Sequence, residues 1–259
     1  MTTAAAPVIA VRDVSVRFGG VVALDGVGFE IREGEILGLI GPNGAGKTTL
    51  FNCLGRLYTP SAGAIEFRGR SILDQPAHRI AGLGIGRTFQ NVASFGTLSV
   101  RDNIRIGAHS VSRSDPVSDA LRLPWVRRHE RRTAGTADEL IRWLRLEDVA
   151  DQPVAGLPFG TQKRVELARA LATGPRLLLL DEPAGGLNHE EVHELGSLIR
   201  RIRDERGITV LLVEHHMALV MSVSDRVVVL NFGRKIAEGT PEEVQQNAEV
   251  VHAYLGDRH

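Results

Sequence analysis

The residues best suited to chemistry lie in a short glycine-rich segment, residues 41–48. Its sequence, Gly-Pro-Asn-Gly-Ala-Gly-Lys-Thr, fits the pattern G-x-x-x-x-G-K-[ST]. Such a loop curls its main-chain N–H groups around phosphate oxygens, and the helix that begins near Lys47 points its positive end at them. We expect Lys47 to reach the β- and γ-phosphates and the Thr48 hydroxyl to hold Mg²⁺. The predicted phosphate-binding residues are Gly41, Pro42, Asn43, Gly44, Ala45, Gly46, Lys47, Thr48 and Thr49.

An acidic pair supplies the complementary chemistry. Asp181 and Glu182 directly follow four leucines at 177–180. A carboxylate at the end of a buried strand is placed to bind Mg²⁺, and the next one can polarise a water for attack on the γ-phosphate. Alone, such a pair is usually a solvated strand end. Together with a phosphate-binding loop it predicts nucleotide hydrolysis, with Asp181 as metal ligand and Glu182 as base.

Apolar patterning indicates the elements that position these groups. Valine-rich segments at 8–12, 14–18, 21–24 and 27–31 predict short strands, and 35–40 predicts a strand that runs into the glycine-rich loop. In the last third, helices and strands alternate, which is typical of a parallel sheet flanked by helices. The elements predicted there are helix 164–173, strand 177–181, a helix with apolar positions over 192–202, strand 208–213 and a helix capped at Thr240 with Pro241 and Glu243 in its first turn.

The middle of the chain differs in composition. Residues 109–132 are polar and rich in arginine, and 137–146 shows helical spacing of apolar residues. This pattern predicts a helical insertion. Its arginines can be interpreted as a nucleic-acid patch, a membrane or permease contact, or a solvated helix face. Interspersed acidic residues favour the solvated face.

Bulk composition narrows the class of protein. Among 259 residues, Lys+Arg and Asp+Glu both number 31, so the net charge is zero, which argues against general nucleic-acid binding. Cys53 is the single cysteine, which excludes an internal disulfide and favours a cytosolic location. The start MTTAAAP does not resemble a signal peptide, and no apolar run approaches the ~18 residues that span a bilayer. A role at a membrane would therefore require docking on a separate membrane subunit.

Beyond these two motifs, the order of segments resembles the ATP-binding cassette family over essentially the whole chain. Gln90 resembles the family's glutamine that senses Mg²⁺ and water, and residues 157–164 (LPFGTQKR) stand where the L-S-G-G-Q signature belongs, with Gly160 retained. Residues 184–188 resemble the loop that meets a partner cassette, His215 the histidine that contacts the γ-phosphate, and Phe18 the ring that stacks on adenine.

The resemblance implies a fold and a division of the chain. The expected fold is α/β: a P-loop NTPase core with a mostly parallel sheet, an N-terminal antiparallel β subdomain and an inserted α-helical subdomain. The implied parts are the β subdomain and phosphate loop at 1–89, the helical subdomain at 90–160 and the second half of the core at 161–259. The implied ligands are ATP and Mg²⁺, the metal held by Thr48, Gln90 and Asp181.

The signature departs from the family pattern. Pro158 stands at the serine position and has neither a hydroxyl nor an N–H to offer, and Phe159 stands at a glycine position. Two interpretations stay open: Thr161 or a water replaces the lost donors, or the site is degenerate. The presence of Lys47 and Glu182 favours a subunit able to hydrolyse ATP at its own site.

The L-P-[YF]-G signature and the ending VHAYLG (residues 251–256) resemble the ATP-binding subunits of Liv-type importers of branched-chain amino acids. His216, where the family usually has Asp, is a departure expected to alter how His215 is held. Alternatives are an importer of urea, short-chain amides or another amino acid and, from a different class, a soluble cassette that handles ribosomes or DNA. A small-molecule kinase is disfavoured by the motif order.

The resemblance also implies partners and a location. These are integral-membrane permease subunits, a second cassette subunit (identical or paralogous) and, indirectly, a periplasmic or lipid-anchored substrate-binding protein; no nucleic acid is expected. The location implied is cytoplasmic, peripheral on the inner face of the cell membrane.

Overall fold

The computed structural model describes residues 7–88, 95–109 and 124–255. The strands are β1 (Ile9–Phe18), β2 (Val21–Ile31), β3 (Ile36–Ile40), β4 (Ala62–Phe67), β5 (Arg70–Ser71), β6 (Ile85–Arg87), β7 (Leu177–Asp181), β8 (Thr209–Val213), β9 (Arg226–Asn231) and β10 (Arg234–Gly239). The helices are α1 (Lys47–Leu54), α2 (Ile80–Leu83), α3 (Val100–His109), α4 (Pro124–Trp143), α5 (Phe159–Leu171), α6 (His189–Arg206), α7 (Met217–Val223), α8 (Pro241–Gln246) and α9 (Ala248–Leu255). They form two compact units, residues 1–80 with 176–259 and residues 81–175.

The N-terminal part of the first unit is an antiparallel sheet in the order β2-β1-β4-β5. The prediction of separate short strands on either side of Asp13 and of Gly26 was wrong. Both residues have positive φ (49° and 65°), but the ladder absorbs them as irregularities inside two long strands. A bulge adds a residue without ending the pairing, so a local turn signal there does not terminate the strand.

The second sheet of the first unit carries the glycine-rich segment, residues 41–48, after β3. Its strands lie in the order β10-β9-β3-β8-β7, with β9, β3, β8 and β7 parallel and β10 antiparallel to β9. Every residue of β3, β7 and β8 is buried. Continuous apolar runs of this kind are typical of parallel strands covered on both faces. The predicted α/β fold with an antiparallel N-terminal sheet is confirmed.

Helix ends in this unit follow the predicted chemistry. The Thr240 side chain accepts from the Glu243 N–H at 3.3 Å, and the Glu243 carboxylate accepts from the Thr240 N–H at 2.8 Å, with Pro241 at the first helical position. Asn188 and Glu191 form the same reciprocal cap on α6. These pairs satisfy N–H groups that have no partner within the helix.

The second unit, residues 81–175, is mainly helical. α3 and α5 pack closely, because a Cβ on Gly107 would lie 2.2 Å from the carbonyl oxygen of Arg169. The predicted insertion, 90–160, lies inside this unit, which also contains the whole of α5 because that helix packs on α3 and α4. In the described part of the chain, no helix combines the length and apolar character needed to cross a membrane.

Candidate nucleotide site

The glycine-rich loop joins β3 to α1 through a backbone that only glycine fits at two points. Gly46 has φ 99°, and a Cβ there would lie 2.6 Å from the carbonyl oxygen of Ala23. A Cβ on Gly41 would lie 2.1 Å from the carbonyl oxygen of Leu230. The loop thus packs closely against the main chains of β2 and β9, at Ala23 and Leu230. The first turn of α1 follows it directly. Main-chain N–H groups at such a turn favour anions.

Lys47 is buried at the start of α1, with 7% of its surface exposed. Its ammonium group donates to the carbonyl oxygens of Gly41 at 2.7 Å and Pro42 at 3.0 Å. Burial lowers the pKa of Lys47, and the charge of Glu182 opposes that change. The Lys47 ammonium therefore lies inside its own loop, and phosphate oxygens could replace the carbonyl oxygens of Gly41 and Pro42 as acceptors of its hydrogen bonds.

The acidic pair lies at the same edge of the sheet as the loop. Val213, the last residue of β8, pairs with Leu39 of β3 on one side and with Asp181 of β7 on the other. Asp181 is buried, whereas the Glu182 side chain is 25% exposed. Glu182 adopts a left-handed backbone (φ 44°) while its N–H donates to the Val213 carbonyl at 2.8 Å. This turn carries the second carboxylate beyond the strand end.

Glu214 is a residue that the sequence analysis missed. Its side chain is fully buried, and its carboxylate accepts from the main-chain N–H groups of Ala184 (2.7 Å), His215 (2.9 Å) and His216 (3.1 Å). A buried carboxylate is stable where several N–H donors satisfy it. The sequence contains a signal for this residue, because Glu214 directly follows the apolar run 208–213, just as Asp181 directly follows the leucines at 177–180.

The two histidines after β8 have separate roles. His215 is largely exposed, and its Nδ1 lies 3.8 Å from Glu182 Oε2 and 3.9 Å from Glu214 Oε2, beyond hydrogen-bond distance. His216 caps α7, because its Nδ1 accepts from the Leu219 N–H at 3.4 Å. His215 is thus held through its main chain by Glu214, and His216 takes a capping role that does not require Asp.

Phe18, the predicted adenine-stacking residue, ends β1 with 47% of its surface exposed. Its ring contacts that of Tyr58, with ring centroids 5.2 Å apart and planes at 72°. Tyr58 follows α1 and was not identified from the sequence. An exposed aromatic ring of this kind offers a face on which a flat base can stack.

The signature segment belongs to the second unit. Pro158 precedes α5 in an extended conformation and gives it no side-chain cap, and Gly160 lies in the first turn. The Lys163 ammonium lies 5.5 Å from the centre of the Phe159 ring. Gln90 lies outside the described residues.

The oxygen donors of the first unit suit a hard divalent cation. Thr48 offers a hydroxyl in the first turn of α1, and Asp181 offers a carboxylate at the end of a strand level with the loop. Mg²⁺ prefers such ligands and usually keeps only one or two protein groups beside phosphate oxygens and water. The residues present therefore fit the metal that the sequence predicts.

Comparison with known proteins agrees with this geometry. The family model described as "ABC transporter" matches residues 24–185, and the model described as "Branched-chain amino acid ATP-binding cassette transporter" matches residues 234–259. The crystal structure of a nucleotide-free ATP-binding cassette from an ABC transporter superposes with a TM-score of 0.84 at 28% identity, covering 97% of this chain and 100% of that one. The ADP conformation of an ATP-binding cassette gives a TM-score of 0.84 at 27% identity, with the same coverage.

Curated relatives match over nearly their full length. The high-affinity branched-chain amino acid transport ATP-binding protein BraF of Pseudomonas aeruginosa is 42% identical over 251 residues, covering 97% of this chain and 98% of the relative. LivG of Escherichia coli, of the same description, is 41% identical with the same coverage. The resemblance inferred from the motifs is confirmed, and the chain belongs to the ATP-binding cassette family of transporter ATPases.

Proposed function

We propose that this chain is the ATP-hydrolysing subunit of an importer for branched-chain amino acids. The observation that carries the proposal is the pairing of Val213 with both Leu39 and Asp181, which brings the phosphate-binding loop and the acidic pair to one edge of the sheet. The likeness to BraF and LivG, and the C-terminal match at residues 234–259, favour this substrate class over urea or short-chain amides.

In the proposed reaction, Lys47 leaves the carbonyl oxygens of Gly41 and Pro42 and neutralises charge on the β- and γ-phosphates. Glu182 accepts a proton from a water whose oxygen forms a bond to the γ-phosphorus while the bond to the β–γ bridging oxygen breaks, giving ADP and inorganic phosphate. Mg²⁺ bound through Thr48, Asp181 and Gln90 would supply charge neutralisation at the phosphates. His215, whose Nδ1 lies 3.8 Å from Glu182 Oε2, would contact the γ-phosphate.

The proposed assembly is a head-to-tail pair of cassette subunits. Gly160 of one subunit, at the N-terminal turn of α5, would face ATP held by the loop of the other, where its N–H and the helix dipole favour negative charge. Permease subunits would dock near Gln90 and the helical unit on the inner face of the membrane, and a substrate-binding protein would deliver the amino acid outside. The amino acid itself would not contact this chain.

Chemistry and transport need separate tests. We expect calorimetry to detect MgATP binding by the wild type and by Glu182→Gln, with turnover of the variant lower by orders of magnitude. Glu194→Gln, an exposed carboxylate on α6, is the matched control and should keep wild-type turnover. Near-normal turnover of Glu182→Gln would remove Glu182 as the base.

Transport is tested with the intact complex. Affinity purification from detergent-solubilised membranes should recover two polytopic permease subunits, and the reconstituted complex should take up leucine, isoleucine and valine but not urea. Recovery of ribosomes or DNA without permeases would favour the soluble cassette, and uptake of urea alone would favour the amide importer.

A further inference from the structure

The turn after α1 holds Tyr58 in a defined place. The N–H groups of Leu57 and Tyr58 both donate to the carbonyl oxygen of Asn52, at 2.8 and 3.2 Å, and the Arg56 N–H donates to Cys53 at 3.0 Å. Arg56 has φ 59°, so the turn is a Schellman ending with a left-handed residue. Tyr58 is thereby tied to the helix that begins with Lys47.

The Arg56 side chain fixes the turn from its other side. Its Nε donates to the Gln75 carbonyl oxygen at 3.1 Å, and its Nη1 donates to the carbonyl oxygen of Tyr58 at 3.3 Å and to the Thr59 hydroxyl at 3.4 Å. The three hydrogen bonds cost the long Arg56 side chain conformational entropy, and they hold the main chain of the turn in one conformation. The Tyr58 ring is therefore attached to a turn whose main chain is fixed by hydrogen bonds.

The following residues return this turn to β1. The Ser61 N–H donates to the Ser15 carbonyl oxygen at 2.7 Å, and the Ser61 hydroxyl accepts from the Arg17 N–H at 3.2 Å. These bonds end one residue before Phe18. The two rings thus stand on main-chain segments that are hydrogen-bonded to each other.

The two rings meet near a right angle, with centroids 5.2 Å apart. Edge-to-face contact is a preferred arrangement of aromatic pairs, so the ring of each residue favours the observed orientation of the other. Both residues still expose a large part of their surface, 47% for Phe18 and 40% for Tyr58. Apolar ring surface in water is available to a flat ligand, and every purine offers a π-face.

We propose that Tyr58 is a positioning residue for purine recognition: its ring holds the Phe18 ring in the orientation that stacks on the adenine of ATP. This inference rests on the proposed ATP-binding function. It assigns base recognition to the end of α1, the helix whose beginning binds the phosphates. The hydroxyl of Tyr58 has no part in it, so phenylalanine at position 58 is expected to serve equally well.

The test measures affinity with and without a base. We expect Tyr58→Leu to bind MgATP about three- to tenfold more weakly, the span that the loss of an aromatic pair predicts. Its affinity for magnesium tripolyphosphate should equal that of the wild type, because this probe has no base. Tyr58→Phe should bind MgATP like the wild type. Leu57→Ala, in the same turn but without a ring, is the control and should also be unchanged.

Different results overturn different statements. Wild-type MgATP affinity in Tyr58→Leu would remove the positioning role. An equal loss for MgATP and tripolyphosphate would show that Tyr58 only supports the loop, which also overturns it. Absence of MgATP binding by the wild type would contradict the proposed function itself.

Discussion

Glu214 accepts a hydrogen bond from the main-chain N–H of Ala184 at 2.7 Å, which ties the loop after β7 to the loop after β8. The same carboxylate accepts from the N–H groups of His215 and His216. One fully buried side chain therefore positions two loops whose other residues face the nucleotide site in our proposal. Glu214 acts through these loops, since its own atoms are shielded from solvent.

Glu214→Gln is expected to lower turnover more than ATP affinity. The amide keeps one acceptor oxygen and replaces the other with a donor, which then faces an N–H group. The mismatch should lower the free energy of unfolding by about 1–3 kcal/mol, the usual cost of a buried unsatisfied group. Steady-state kinetics and urea denaturation measure the two effects. Equal kcat in Glu214→Gln and the exposed control Glu190→Gln would show that the connection between the loops does not matter for turnover.

Sequence pattern sufficed where a residue's role depends on its immediate neighbours. The glycine-rich loop, the strand before Asp181 and the Thr240 cap belong to this class, and the fold followed from them. It did not suffice where the role depends on a distant partner. Glu214 and Tyr58 acquire their importance from contacts made across the fold, to Ala184 and to Phe18, that no local spacing encodes.

Lys47→Met is expected to abolish MgATP binding while leaving stability at pH 7.5 within about 1 kcal/mol of the wild type. The substitution removes the burial cost of the ammonium and also leaves the Gly41 carbonyl without its donor, and these effects oppose each other. Calorimetry and urea denaturation measure both quantities. Lys235→Met, at an exposed position, should retain ATP binding.

The same variant has a pH signature. Burial lowers the folded-state pKa of Lys47 below the ordinary 10.5, so the folded protein releases this proton before the unfolded chain does. The Lys47 contribution to stability therefore rises with pH between the lowered value and 10.5. Lys47→Met should lack that rise, measured as the difference in unfolding free energy between wild type and variant across alkaline pH. A constant difference would contradict the shift.

Two glycines of the loop offer a contrast within one segment. A Cβ at Gly46 would lie 2.6 Å from the Ala23 carbonyl oxygen, whereas a Cβ at Gly44 meets nothing within 4 Å. Both have positive φ, which costs an L-residue roughly 1–2 kcal/mol. Gly44→Ala should cost only this backbone strain. Gly46→Ala should also displace the loop, and we expect it to bind MgATP at least tenfold more weakly than Gly44→Ala does. Equal affinities in calorimetry would show that the close approach to Ala23 is unimportant.

In the second unit, Asn103 is a buried side chain that positions main-chain segments, as Glu214 does in the first unit. It is fully buried on α3, where its Oδ1 accepts from the Phe95 N–H at 2.9 Å and its Nδ2 donates to the carbonyl oxygens of Phe95 (3.0 Å), Leu98 (3.3 Å) and Ser99 (2.9 Å). In Asn103→Ala the three carbonyl oxygens keep main-chain donors, but the Phe95 N–H loses the carboxamide acceptor, and we expect the protein to be destabilised by about 1–3 kcal/mol. Because the Phe95 N–H loses its acceptor, the rate of hydrogen exchange at this amide should increase more than the exchange rates of the amides in α5. Gln152→Ala, an exposed amide in the same unit, should change neither quantity, and unchanged exchange at Phe95 in Asn103→Ala would show that the carboxamide does not hold this segment.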